Sequence, residues 1–219
     1  MMGLSSLREI KKYLPFSYPN IIRNLVDKEG VTILDIGTGD GFLMKHVNQN
    51  GNYEITGIEA YKPFMKMAQK SGAYINVIWR DARKIDYPNN SFDIVISSQV
   101  LEYLTKKEGI RLIKKCKKIA KRQVIMAAYI GDCGHIDAQG NPFQTSHGAW
   151  YPGDLMKLGF KVYGQGLRAV YKENGYNPKK IDFLFVLPMV FSYLLAPFVY
   201  CFPQYATHMI AVLNKVKLS

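Results

Sequence analysis

From Val31 onward the chain alternates short, β-branched apolar runs with stretches whose apolar residues recur at helical spacing. That rhythm predicts parallel strands joined by crossover helices. The apolar runs place strands at Val31–Ile36, Glu54–Glu59, Asn76–Trp79, Phe92–Ser97 and Gln123–Ala128, then at Phe160–Tyr163 and His208–Leu213. Helical spacing predicts helices over Gly41–Gln49, Lys62–Lys70, Lys106–Ala120 and Pro152–Leu158. No helix pattern separates the last two strands, so the sheet is expected to end in an antiparallel pair. The expected class is α/β: a seven-stranded, mostly parallel sheet with helices on both faces and an antiparallel last strand.

The 219 residues suit one domain with its own core. Residues 1–30 form a leading helical segment, Leu4–Leu14 and Asn20–Asp27 around the Pro15–Pro19 turn, that either covers the site as a lid or packs on the sheet edge. Residues 31–164 form the α/β core, 165–207 an insertion with an apolar helical segment, and 208–219 the last strand. Cys116, Cys133 and Cys201 are odd in number and form no CxxC pair, so they read as reduced thiols and no metal site is expected. The N-terminus has no apolar leader stretch, which points to the cytoplasm.

The chemistry concentrates at the first strand's end. Val31-Thr-Ile-Leu-Asp35-Ile-Gly37-Thr38-Gly39-Asp40-Gly41 runs a buried strand into a glycine-rich turn, and a helix follows. Glycines let the backbone bend tightly and let a ligand approach the main chain. The spacing is GxGxG, and two acids, Asp35 and Asp40, attend it. Those acids suit a ligand carrying an ammonium and a sulfonium better than a pyrophosphate. The second strand ends at Glu59, about twenty residues on, where an acid can accept from both hydroxyls of a ribose. Ala60 and Tyr61 follow as an apolar wall. The third ends at Trp79-Arg-Asp81-Ala82, where Asp81 can accept from an adenine amino group. An unpaired buried donor there would cost about 1–3 kcal/mol.

The segments LDIGTGDG, GIEA, RDA and FDIVISSQVLEYL resemble the class I S-adenosylmethionine-dependent methyltransferases, particularly the broad small-molecule group, over roughly Thr32 to Ala128. The resemblance implies a Rossmann-like sheet that binds S-adenosyl-L-methionine. It places Gly37, Gly39 and Gly41 along the methionine part, Glu59 at the ribose, and Asp81 with Ala82 at the adenine. Ser97, Ser98 and Gln99 would face the sulfonium. Many relatives carry Glu-His where this chain has Glu102-Tyr103, so no base transfers from that spot. Ser97-Ser-Gln-Val lacks the proline-containing clamp of enzymes that methylate nucleobase amines.

Methyl transfer from a sulfonium rests mainly on proximity and orientation. A general base matters only for a hydroxyl or acidic carbon acceptor. Candidates are His135 and His147, with His147 beside Trp150 the better placed, and Gln99 as a companion at the reactive end. The acceptor is expected to be a small or lipid-linked molecule.

Two features enlarge the picture. Phe183–Pro203 carries no charge, yet Pro188 and Pro197 break it, and the chain must return to the same sheet. It therefore dips into one leaflet aided by Lys172, Lys179 and Lys180, walls an apolar acceptor, or forms a homodimer interface. The helix Thr105–Lys121 sets its lysines around a stripe of Ile110, Ile113, Cys116 and Ala120, a solvated face that also suits anionic headgroups or RNA. The formal charge of +12 leaves an RNA or protein methyltransferase as a rival, and a non-catalytic nucleotide-binding protein as another.

Overall fold

The computed structural model describes residues 14–132, 134, 140–170 and 190–215. Expectations for residues 4–13, Cys133, His135, Lys172, Lys179, Lys180 and Phe183–Met189 lie outside them.

The element order is α1 (Tyr18–Leu25), β1 (Thr32–Ile36), α2 (Phe42–Val47), β2 (Glu54–Glu59), α3 (Lys62–Lys70), β3 (Asn76–Trp79), β4 (Phe92–Ser98), α4 (Lys106–Ile119), β5 (Ala120–Tyr129), α5 (Pro152–Lys157), β6 (Lys161–Leu167), α6 (Ala196–Cys201) and β7 (Ala206–Asn214). One seven-stranded sheet runs β3-β2-β1-β4-β5-β7-β6. The first five strands are parallel. β7 inserts between β5 and β6, antiparallel to both. Strand order reverses between β1 and β4, and ligands of such sheets settle outside the carboxyl ends of strands at that point.

The strands are apolar because both faces are covered. On one face Leu112, Ile113, Cys116 and Ile119 of α4 pack with Leu34, Val95 and Val124. On the other, Ile21 and Ile22 of α1 and Met44 of α2 pack with Ile33, Ile94 and Ile125. Thr105 and Glu108 close a capping box that fixes where α4 starts.

Three expectations change. The buried stripe of α4 runs through Gly109, Leu112, Ile113, Cys116 and Ile119. Ile110 is only partly buried and Ala120 opens β5 instead of ending the helix. β6 continues through Gly164 and Gly166 to Leu167, and β7 begins at Ala206, so the insertion is shorter than 165–207. The glycines look like strand breakers but serve a contact: a Cβ on Gly164 would lie 2.3 Å from the Val199 carbonyl oxygen. Trp150 does not wall a pocket. Its side chain is fully buried against Gly109, and its indole N–H donates to the Leu101 carbonyl at 3.0 Å.

Among the described residues no helix is long and apolar enough to cross a membrane.

Trp150 joins α4, the turn after β4 and the strand-end loop before α5. Trp150→Ala should cost about 3–5 kcal/mol of stability in urea denaturation, the usual loss for emptying a large aromatic site.

Candidate functional site

β1 delivers its last residues into a turn whose glycines all sit at positive φ: Gly37 at 83°, Gly39 at 53° and Gly41 at 81°. Their surroundings differ. A Cβ on Gly37 would lie 2.4 Å from Val100, and one on Gly41 would lie 2.7 Å from Ser71 Oγ. A Cβ on Gly39 meets nothing within 4 Å, because that backbone faces open space. Gly39 therefore presents bare main chain to a cavity of about 370 Å³.

Glu59, at the tip of β2, holds this turn. Its Oε2 accepts the Gly39 N–H at 2.9 Å, and its Oε1 accepts the Tyr61 N–H at the same distance. Burial pushes the Glu59 carboxyl up, and the N–H groups of Tyr61, Gly39 and Ala60 restrain the rise. Asp35 lies deeper. Burial raises it to about 7; the Tyr74 hydroxyl, donating to Oδ2 at 2.7 Å, opposes that rise, and the nearby Glu59 carboxylate adds to it. Asp35 Oδ1 is buried with no hydrogen-bond partner. Beside the β3 tip, Asp81 accepts from the Arg83 main chain at 2.8 Å and from its guanidinium at 2.6 Å. Burial raises this carboxyl, but the bonds from Arg83 outweigh it and hold it below the ordinary value.

The same cavity continues past the end of β4. Asp35, Gly37, Thr38, Gly39, Asp40, Glu59, Ala60, Asp81 and Ala82 line one end, and Ser98, Gln99 and His147 line the other. So most of the expected site residues converge. Three do not reach it. Gly41 is the N-cap of α2 and packs on Ser71. Ser97 is fully buried and absent from the lining; strand alternation turns Ser98 to the cavity in its place. Tyr61 packs edge-on against Phe64, and Phe64 supplies the wall expected of Tyr61.

The far end contains residues that sequence reasoning missed. Tyr18 and Pro19 of α1 line it, with Tyr103, Phe143 and Gln144. The leading segment therefore contributes cavity wall as well as packing on the sheet. The Tyr18 hydroxyl and Ser98 Oγ are 2.6 Å apart. The one sequence signal for Tyr18 is its place in the Pro15–Pro19 turn. Gln99 sits at φ 54°, pinned by its N–H to the Ala127 carbonyl at 2.7 Å. A left-handed non-glycine residue is uncommon, and here it ends β4 with the side chain turned to the cavity. The His147 N–H donates to the Glu102 carbonyl oxygen at 2.9 Å, which ties the roof loop to the turn after β4.

Behind that end lies a buried polar cluster. Neither carboxyl oxygen of Glu102 has a well-formed hydrogen bond, and burial raises the group to about 8, moderated by the nearby main-chain N–H groups of Glu102 and Tyr129. Burial also lowers His208 to about 4. Its ring lies 4.1 Å from Tyr129 and 5.6 Å from Tyr18. Burial raises the Tyr18 hydroxyl well above the ordinary phenol value, with Glu102 adding to the rise.

Residues 34–128 match the methyltransferase domain family. The chain is 27% identical over 105 residues to an uncharacterized methyltransferase of Anoxybacillus flavithermus, covering 48% of this chain and 49% of that one. Over residues 34–128 the chain is thus similar to methyltransferase domains, in line with the resemblance carried by its strand-end motifs. The chain spans about half the length of the curated relatives it matches. Its fold is like that of a SAM-dependent methyltransferase from Archaeoglobus fulgidus, with a TM-score of 0.57 and 16% identity over 97% of this chain and 100% of that one. Magnesium protoporphyrin IX methyltransferase from Synechocystis PCC 6803, solved with bound SAH, gives a TM-score of 0.57 at 13% identity, covering 99% of this chain and 89% of that one. At these identities the likeness is one of fold.

The residues present fit the methyl donor. An orphaned buried carboxyl oxygen on Asp35, bare backbone at Gly39 and carboxylates at two successive strand tips suit a cationic nucleoside. Two outcomes follow. Gly39→Leu should fill the space in front of the turn and abolish the heat of S-adenosylhomocysteine binding in calorimetry. The left-handed backbone should cost only about 1–2 kcal/mol, so the melting transition survives. The second concerns pH. Glu102 binds a proton more tightly folded than unfolded, so its contribution to stability falls as pH rises toward about 8, and Asp35 acts likewise up to about 7. His208, neutral when folded, works oppositely between about 4 and its ordinary 6.5. Above pH 6.5 the carboxyls set the slope, and stability should decline through both groups to about pH 7 and through Glu102 alone toward about pH 8. Glu102→Gln should flatten that decline in denaturation series across pH.

Proposed function

We propose that the chain transfers the methyl group of S-adenosyl-L-methionine to a nucleophilic atom of a small, partly apolar acceptor, free or lipid-linked. The observation that carries this reading is a cavity with two unlike ends. One end is bare glycine backbone with Asp35, Glu59 and Asp81; the other is Tyr18, Tyr103, Phe143, Gln144 and His147. Ser98, Gln99 and Val100 lie between them.

In this reading Asp35 and the turn at Gly37–Asp40 hold the amino-acid part of the donor, Glu59 its sugar, and Asp81 with Ala82 its base. When bound, the donor would supply an electrophilic methyl group and leave as a neutral thioether, and the acceptor's proton would pass to His147 or to water. The sulfonium is itself a strong electrophile, so the chain mainly aligns two reactants and excludes water, effects worth up to about 7–11 kcal/mol. Gln99, at the junction and held by its own backbone bond, orients the reacting groups through its amide. His147 stands at the acceptor end, where it can take the proton of a hydroxyl. The aromatic rings around it give an acceptor apolar area, and Gln144 gives it a polar contact.

The acceptor's size follows from the roof. Asn141, Pro142, Phe143 and Gln144 line the cavity with His147, and a loop wall of this kind around about 370 Å³ favours a small molecule over a folded protein or a duplex.

The test is donor turnover with a panel of small phenols, carboxylates and amines as acceptors. Product should form with at least one class. His147→Ala should then lower kcat for a hydroxyl acceptor by about 10²–10⁴-fold. S-adenosylhomocysteine affinity should stay unchanged in that variant. Binding of NADH in place of S-adenosylhomocysteine would overturn the reading.

A further inference from the structure

A second surface lies beyond the sheet edge formed by β6. Helical residues 190–194 lead into α6, and between residues 190 and 205 large apolar side chains face outward: Val190, Phe191, Leu194, Phe198, Phe202 and Tyr205. Leu194 is 72% exposed and Phe191 57%. Phe198 lies tilted against Phe202 at 4.7 Å and stacks with Tyr205 at 5.7 Å, so the rings form a continuous ridge. The inner side of the same segment is well anchored. Val199 is fully buried, Tyr200 stacks on Tyr163 at 4.6 Å, and Ser192 Oγ accepts the Leu167 N–H at 3.3 Å. The ridge is thus a fixed amphipathic element whose outer face is apolar, and contiguous patches of this kind mark interaction sites.

The charge along the sequence indicates what covers it. From Leu155 to Ser219 the sequence has eight basic residues and two acids, Glu173 and Asp182, so half of the net charge of +12 falls in this last stretch. From Phe183 to Asn214 it carries no lysine, arginine or acid at all. One basic side chain reaches a ring under the ridge, and the main chain of another is bonded to the ridge's end. Lys161 lies over the Tyr163 ring that Tyr200 stacks on, and Arg168 donates its main-chain N–H to the Tyr205 carbonyl at 2.9 Å. An aromatic and aliphatic crest free of acids, in a chain of formal charge +12, complements an anionic bilayer, where rings settle at the headgroup level and each nearby cation adds about 1 kcal/mol.

The ridge also touches the cavity's wall. The Tyr193 hydroxyl donates to the Pro15 carbonyl oxygen, Phe16 packs edge-on against Tyr200 at 5.5 Å, and Tyr18 lines the cavity two residues later. We propose that residues 190–205 dock the domain on an anionic lipid surface. The mouth beside α1 then draws its acceptor from that surface. This last step rests on the methyl-transfer reading; docking itself does not.

The experiment is flotation of the full chain with vesicles of mixed phosphatidylglycerol and phosphatidylcholine, against pure phosphatidylcholine. The chain should float with the anionic vesicles and about tenfold less with the neutral ones. The double variant L194D/F198D changes only exposed side chains. It should lose flotation while keeping its melting temperature and S-adenosylhomocysteine binding. Flotation that survives those substitutions, or no flotation by the parent chain, overturns the proposal. So does a dimer in sedimentation that the double variant dissolves while vesicles stay unbound, because a second copy then owns the ridge. Flotation with no S-adenosylhomocysteine binding would instead strike the methyl-transfer reading and leave docking standing.

Discussion

The site depends on the Glu59 carboxylate reaching across from β2 to the Gly39 N–H at 2.9 Å. Gly39 leaves helical and strand geometry at positive φ, so its N–H has no partner in a regular element. A carboxylate from the neighbouring strand tip satisfies that donor and fixes the turn's height above the sheet. Two parallel strands in register put the acid there: Glu59 follows Ile58, and Ile58 pairs with Ile36 just before the turn. The Gly37 N–H donates to the Ile58 carbonyl at 2.8 Å, so main chain and side chain of one strand tip hold the whole turn. A site built on strand ends in this way is positioned by the sheet, and the sheet is held by a core on both faces.

This arrangement is costly. Asp35 and Glu102 are buried carboxyls, both shifted upward by burial, and neither has its full set of hydrogen bonds. Buried groups of this kind reduce stability, so they stand where function needs them or where packing outweighs them. Asp35 faces the cavity and has a use in the reading given above. Glu102 lies behind the lining, and the turn that carries it is pinned from three sides: His147 and Gly148 donate to its carbonyl, and Trp150 donates to Leu101. A polar group that is expensive to bury is kept by a turn that cannot open.

Much of this was legible in the sequence because it is local. β2, β3 and α3 match their expected bounds residue for residue, since each is bounded by turn residues and shows a clear period. The acids at the strand tips were legible too, because chain order alone puts Glu59 and Asp81 at successive ends. What was not legible depends on contacts far apart in sequence. Tyr74 reaches Asp35 across 39 positions and Tyr18 reaches Ser98 across 80. Ser97 and Ser98 are chemically identical, and only the pleat decides which one faces the cavity. β6 was cut short because Gly164 and Gly166 look like a strand's end when α6, which needs that close approach, is not in view.

The Asp81–Arg83 pair sharpens the picture of specificity. Asp81 already receives three side-chain bonds and one main-chain bond from Arg83, so it is not a free acceptor awaiting a base. The pair is half exposed on the arginine side, and such ion pairs are worth little by themselves. Its effect is geometric: the guanidinium fixes the carboxylate plane, and a carboxylate keeps lone pairs for a further donor. Any ligand amino group at the β3 tip must meet that plane at the angle Arg83 sets. In the proposed reading, discrimination at this end would come from orientation, with the guanidinium bonded to Asp81 repelling a ligand that brings a cation in place of a neutral amine.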